Sequence, residues 1–140
     1  MDVHEQISQY LDGQPEKKRS DMQTLDRVIR ELLPDGKIWF LDGKDENGKV
    51  VTNPNIGYGQ RTISYADGKT KEFYQIGISA NTSGISVYIL GLDDKKCLSE
   101  KFGKEIGKAT ITGYCIKFRN LADVDLKVLR AAIKHGVAAR

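Results

Sequence analysis

The chain has only two cysteines, no apolar run long enough to cross a membrane and no block of charge of one sign, and each absence removes a class of protein. Cys97 and Cys115 are too few for a disulfide framework and lack the close Cys/His spacing of a structural zinc site, so both read as reduced thiols. No stretch approaches the roughly 18 consecutive apolar residues of a spanning helix. The opening Met1-Asp2-Val3-His4-Glu5 has no basic segment followed by an apolar one, which predicts no secretory signal and a cytoplasmic location. The 22 Lys and Arg are interleaved with 19 Asp and Glu, so a net charge of +3 and a pI near 8.8 reflect a slight surplus rather than a basic stripe. Nothing in that pattern supports nucleic acid as a partner. A Walker-type phosphate loop, a paired-glycine dinucleotide fingerprint and a nucleophile elbow are all missing, so no reaction and no cofactor is named.

What is present suits one folded domain. The length of 140 residues can bury a sizeable core, and a hydrophobic fraction of 39% with six Tyr, four Phe and one Trp is richer than a disordered chain carries. Val3, Ile7, Tyr10 and Leu11 recur at helical spacing up to a stop at Asp12-Gly13. Pro15 suits the first turn of a second helix, whose stripe runs through Met22, Leu25, Val28, Ile29, Leu32 and Leu33 and ends before Pro34. Lys17, Lys18 and Arg19 near its start read either as a solvated helix face or as an anion-binding cluster.

The period then changes. Ile38 to Leu41 reads as a first strand, Asn47-Gly48 as a hairpin turn and Val50-Val51 as a second extended stretch. A longer strand is predicted from Gly57 to Tyr65, with a turn at Ala66 to Lys69, a return through Phe73 to Ser79 and a further hairpin at Asn81 to Gly84 into Ile85 to Leu90. Short turns between consecutive strands favour an antiparallel meander, because parallel pairs need long crossovers. Lys95 to Phe102 reads as a short helix with Gly103 as its cap, Thr110 to Phe118 returns to alternation, and a last helix is expected from an Asn120 cap to His135-Gly136. The fold class is therefore α+β, with two N-terminal helices and one C-terminal helix packed on one face of an antiparallel sheet.

Alternation divides that sheet. Ile63, Tyr65, Tyr74, Ile76, Ile78, Ile85, Val87, Ile89, Tyr114, Ile116 and Phe118 share the phase expected to meet the helices. The other phase carries Tyr58, Gln60, Thr62, Phe73, Gln75, Tyr88, Cys115 and Lys117, a mixture that reads either as a half-solvated sheet or as a ligand surface. Gly103-Lys104 and Gly107-Lys108 repeat a Gly-Lys step whose amides and ammonium groups could hold an anion, or could simply leave a helix into solvent. Cys115 could form a thiolate pair with His4 or His135 if the fold brought them together, while His135 otherwise reads as a cap in the last helical turn.

Three segments carry a family resemblance: Tyr10 to Arg19, Ile106-Gly107-Lys108, and Cys115 to Asp125, in which Leu121, Asp123, Val124 and Asp125, with Leu129 beyond them, keep a characteristic order. With Asn55 to Gly59 they make the chain resemble, over nearly its whole length, the YdhG-like family of small bacterial domains of unknown function. The resemblance implies an α+β fold and supplies no catalytic residues. That family often places a second lysine shortly before the cysteine, where this chain has Gly113-Tyr114. Its comparison with frataxin-like domains implies an iron-handling alternative, for which the first helix offers Asp2, Glu5 and Asp12, whereas hard cations need several convergent oxygens.

The function expected from sequence is a non-enzymatic binding module for a small anionic ligand or a protein partner. Its candidate residues are Tyr58, Gln60, Gln75, Tyr88, Lys104, Lys108 and Lys117. A frataxin-like iron handler or a small enzyme using Cys115 is the alternative. No catalytic residue and no metal ligand is assigned, and sheet edges allow either a monomer or a homodimer.

Overall fold

The structure is a computed structural model that describes residues 2–92 and 94–138; Met1, part of the opening segment considered above, lies outside them. Helix α1 (Val3–Asp12) is capped by the Asp2 carboxylate, which accepts from the Glu5 amide at 2.9 Å, and it buries Ile7 and Leu11. Helix α2 (Glu16–Leu32) follows Pro15 and buries Met22, Leu25, Val28 and Ile29, the stripe expected from its spacing.

Among the described residues eight strands follow in the order β1 (Ile38–Leu41), β2 (Asn55–Tyr58), β3 (Arg61–Ser64), β4 (Thr70–Phe73), β5 (Ile76–Asn81), β6 (Gly84–Ile89), β7 (Thr110–Thr112) and β8 (Cys115–Phe118). Six of them form an antiparallel sheet in the spatial order β1-β2-β5-β6-β8-β7, and β3 and β4 pair only with each other as an inserted hairpin. Helix α3 (Cys97–Phe102) lies between β6 and β7 in sequence, and helix α4 (Leu126–Ala138) ends the described chain. The α+β class with N- and C-terminal helices is as expected.

One row shows why the helices bind where they do. Phe40, Ile56, Ile78, Val87, Ile116 and Ile111 are successive register partners across all six strands, and the middle four are fully buried. Period-two alternation places them on one face, where α2 contacts β5 and β6, α4 contacts β5, and α1 contacts β1. Each such aliphatic side chain contributes roughly 1.5–3 kcal/mol by leaving water. Truncating Ile116 to Ala would cost about 2–5 kcal/mol, because its neighbours could close the cavity only in part.

Several expectations are corrected. The long strand from Gly57 to Tyr65 breaks at Gly59, whose φ of +78° is a left-handed conformation that a side chain resists, so β2 and β3 enter different sheets. Ile63 and Tyr65 consequently leave the helix-facing layer, and Tyr65 is exposed. Asn47-Gly48 does form a turn, with Gly48 N–H donating to Asp45 O, but a single Lys44–Val50 bridge replaces the second extended stretch and Val50 and Val51 stand in solvent. The last helix starts at Leu126 rather than after Asn120. Residues Leu121–Asp123 form a 3-10 turn, and it is the Asp125 carboxylate that accepts from the Lys127 and Val128 amides. Gly136 does not end α4; a Cβ there would stand 2.2 Å from Ile89 Cγ2, so the glycine lets helix and sheet approach closely.

Candidate functional site

The face opposite the helices is built by the complementary register rows. Trp39, Gly57, Gly77, Tyr88, Cys115 and Thr112 run across all six strands, and Ser79, Ser86, Lys117 and Thr110 run beside them on β5, β6, β8 and β7. The two rows give this face two unlike halves. Over β2 and β5 it is closed by the Tyr74 ring, which lies so near that a Cβ at Gly57 or Gly77 would come within 2.5–2.6 Å of it. Phe73 packs on Tyr74 with centroids 4.2 Å apart, and Trp39 meets Phe73 edge-on while its indole N–H donates to Gly59 O at 2.8 Å. Burial, with Tyr88 and Cys115 nearby, pushes the Tyr74 hydroxyl up to about 12, so that ring stays neutral.

The other half is open and polar. Over β6, β8 and β7 lies a groove of about 620 Å³ whose walls include Ser86, Tyr88, Lys108, Thr110, Lys117 and Arg119, with Asn53, Asn81, Thr82 and Ser83 at one end. Among the described residues its lining has three cationic side chains and no carboxylate. None of the three is held in an ion pair among the described residues. Ser86 is fixed beneath them by Asn81, whose amide donates to Ser86 Oγ at 2.9 Å. Hydroxyls, an amide and unpaired cations over a rigid floor can hold an oxyanion through charge-assisted hydrogen bonds.

A second, larger groove of about 890 Å³ opens between the β3–β4 hairpin and the start of β1. Its cations Lys37 and Arg61 are offset by Asp35 and Glu72. Thr62 and Gln60 both donate to the Glu72 carboxylate, at 2.7 and 3.0 Å, and these bonds, Thr62's first, hold it below the usual carboxylate range. Lys37 Nζ sits 4.1 Å over the Trp39 ring. Charge balance makes this groove a weaker candidate than the smaller one.

The residues singled out from sequence therefore separate. Tyr88, Lys108 and Lys117 meet in the cationic groove, and Gln60 and Gln75 line the other. Gln75 is buried and its amide donates to the Gly136 and Val137 carbonyls, so it ties the end of α4 to the sheet rather than standing on the open face. Tyr58 is a correction of the same kind: it pairs with Ile76 in the helix-facing phase and donates to Asp26 on α2. Tyr74, expected toward the helices, covers the opposite face. Both differences have one cause, since alternation does not carry across the breaks at Gly59-Gln60, between β2 and β3, and at Tyr74-Gln75, between β4 and β5. Lys104 is exposed in the turn after α3 and lines neither groove, so the two Gly-Lys steps do not converge. Lys108 is set apart by its own backbone: its N–H donates to Asp123 O, and Gly107 bridges Val124.

Arg119, Ser86 and Thr110 also line the groove, beyond the residues expected from sequence. Arg119 continues the phase of Cys115 and Lys117 past the end of β8, a signal already in the sequence, whereas the Thr110–Lys117 pairing follows only from the register of the turn at Gly113-Tyr114. The thiols also pair otherwise than expected. His135 Nε2 lies 3.3 Å from Cys97 Sγ, not from Cys115, which belongs to the other side of the sheet. Burial pushes the Cys115 thiol up, opposed in part by the Lys117 ammonium and the Ser86 hydroxyl, so it is a poor nucleophile at neutral pH. Among the described residues no three His, Cys, Asp or Glu side chains gather as a metal site, and no helix is long and apolar enough to cross a membrane. No protein-family model, no curated protein and no solved structure matches this chain.

Proposed function

We propose that this chain is a non-enzymatic binding module for a small anionic ligand, in keeping with a cytoplasmic bacterial protein of the YdhG-like kind that its sequence resembles. The observation that carries the reading is the cationic groove, in which Lys108, Lys117 and Arg119 share one lining with hydroxyls and, among the described residues, without a carboxylate. An uncompensated group of cations is costly to hold together in one concave surface, and an anion relieves that repulsion while accepting from Ser86 and Thr110. Tyr88, half-buried on the floor, offers a flat apolar contact to the body of the ligand.

The test is an amide NMR titration of the labelled protein with inorganic phosphate and a panel of phosphorylated and carboxylated metabolites. Shifts gathered on Ser86, Tyr88, Thr110 and Lys117 are expected, with loss of the response in Lys117→Ala. Shifts spread evenly over exposed lysines, or an unchanged response in Lys117→Ala, would remove this reading.

A further inference from the structure

The cationic groove does not stop at the edge of the sheet. A smaller cavity of about 230 Å³ continues it around the β5–β6 turn and shares Thr82, Ser83 and Arg119 with it, its far wall being Pro15, Lys17 and Lys18 at the start of α2. Among the described residues both linings are free of carboxylates.

The seam between the two is built firmly. Lys18 Nζ donates to Asn81 O at 2.7 Å and pins the first turn of α2 to the β5–β6 turn. Within that turn the Ser83 amide donates to Asn81 Oδ1. Gly84, at φ +147°, lies so close to the next strand that a Cβ would meet Phe118 O at 2.2 Å and the Arg119 Cα at 2.7 Å, so the turn sits flat against the backbone that carries Arg119. Lys18 is thus occupied, whereas Lys17 and Arg119 are exposed and free of ion pairs among the described residues. The α2 N-terminus receives no side-chain cap, and the Glu16 carboxylate in its first turn offsets part of the positive potential there.

From this continuity we infer that the surface from Lys108 and Lys117 through Arg119 to Lys17 is a docking trough for an extended acidic peptide segment of a partner protein. The inference rests on the anion-binding reading of the groove and lengthens it. A compact anion can satisfy the cations at one end only, whereas a chain with repeated carboxylates can reach all four. The two linings also carry Asn53, Thr82, Ser83 and Thr110, side chains that can bond peptide amides and carbonyls. The same lining disfavours a nucleic-acid strand, which stacks successive bases on successive rings, since Phe118 is buried and Tyr88 alone offers a partly exposed ring.

Fluorescence anisotropy with labelled diglutamate, hexaglutamate and a six-nucleotide thymidine strand tests this. Hexaglutamate is expected to bind at least about tenfold more tightly than diglutamate and to weaken between about 50 and 200 mM salt, as exposed charge pairs do. Lys17→Ala is expected to weaken hexaglutamate about threefold, the scale of one exposed pair, without moving diglutamate. Equal affinity of the two peptides, or a Lys17→Ala protein indistinguishable from the parent, would overturn the trough. In that case a diglutamate response still lost in Lys117→Ala would leave the groove itself standing. Tighter binding of the thymidine strand than of hexaglutamate would overturn the choice of a peptide.

Discussion

The Tyr58 hydroxyl donates to Asp26 Oδ1 at 2.6 Å, joining the second strand of the sheet to α2 through a ring that is fully buried. Asp26 is held in turn by Arg30 one helical turn on, whose Nε lies 3.0 and 3.1 Å from its two oxygens. Burial and the neighbouring carboxylate keep the Tyr58 proton far above its ordinary range. The pair therefore acts as a neutral donor on a charged acceptor at the helix–sheet interface.

Tyr58→Phe removes that donor while preserving the ring. Hydrogen bonds to charged groups contribute about 1.5–3 kcal/mol, so the urea midpoint should fall by a corresponding amount with an unchanged slope. Binding of phosphate in the cationic groove should be unaffected, because Tyr58 faces the opposite side of the sheet. A stable variant that had lost phosphate binding would contradict this placement.

That contrast shows how far the sequence could be read. Ile76, Ile78, Ile85, Val87, Ile89 and Ile116 alternate within unbroken strands, and their burial was legible from period two alone. Tyr58 was not, because the phase was extended backward from Ile63 through Gly59, where the chain turns. The last helix was legible as a stripe of Val124, Val128, Leu129, Ala132 and Ile133, of which Val124 precedes α4, but not in its start, since Asn120 and Asp125 are both good caps and only the fold selects between them. Of the groove, Tyr88, Lys108 and Lys117 were found. Thr110 was not legible, because its pairing with Lys117 depends on the turn that sets β7 against β8.

Gly136→Ala should destabilise the protein although alanine is the better helix former. The propensity gain is about 1 kcal/mol, while a methyl group placed 2.2 Å from Ile89 Cγ2 must push α4 off the sheet, and overpacking of this kind costs about 1–3 kcal/mol. Thermal unfolding should occur at lower temperature than in the parent. An increase would mean that Ile89 can turn aside without cost.

Alkaline unfolding should be steep. Tyr74 is pushed up to about 12 by burial, from 10.0, and Tyr10 and Tyr58 are raised as well, each chiefly by burial. A tyrosine that holds its proton more tightly in the fold than in the unfolded chain contributes stability that is complete below pH 10 and is lost as pH rises through the folded value. Between pH 10 and about 12 Tyr74 should remove up to about 1.4 kcal/mol per pH unit, and Tyr10 and Tyr58 should add to the loss. Denaturant midpoints measured across that window should fall, and Tyr74→Phe should reduce the slope by one group's share; an equal slope in the variant would count against a buried, neutral Tyr74.

The two thiols should react at different rates. Cys97 Sγ has the His135 imidazole Nε2 beside it at 3.3 Å, whereas burial raises the Cys115 thiol, which is hydrogen-bonded with Ser86. Alkylation at neutral pH, read by mass spectrometry of the separated peptides, should modify Cys97 first. In His135→Phe, which keeps a ring against Phe102, the Cys97 rate should drop toward that of Cys115. A Cys97 rate unchanged by the substitution would mean that exposure alone sets it.

Lys104 and Lys108 provide the sharpest comparison, since each follows a glycine, the two are four residues apart and both are exposed. Only Lys108 lines the cationic groove, because the strand-like bond of its amide to Asp123 O and the bridge from Gly107 to Val124 hold that loop beside the sheet. Lys108→Ala should weaken phosphate binding by about threefold, the contribution of one exposed charge, and Lys104→Ala should leave it unchanged at the same ionic strength. Equal losses in the two variants would show that the protein attracts phosphate through its overall charge. Unequal losses tie the anion to the surface that Lys117 and Arg119 share.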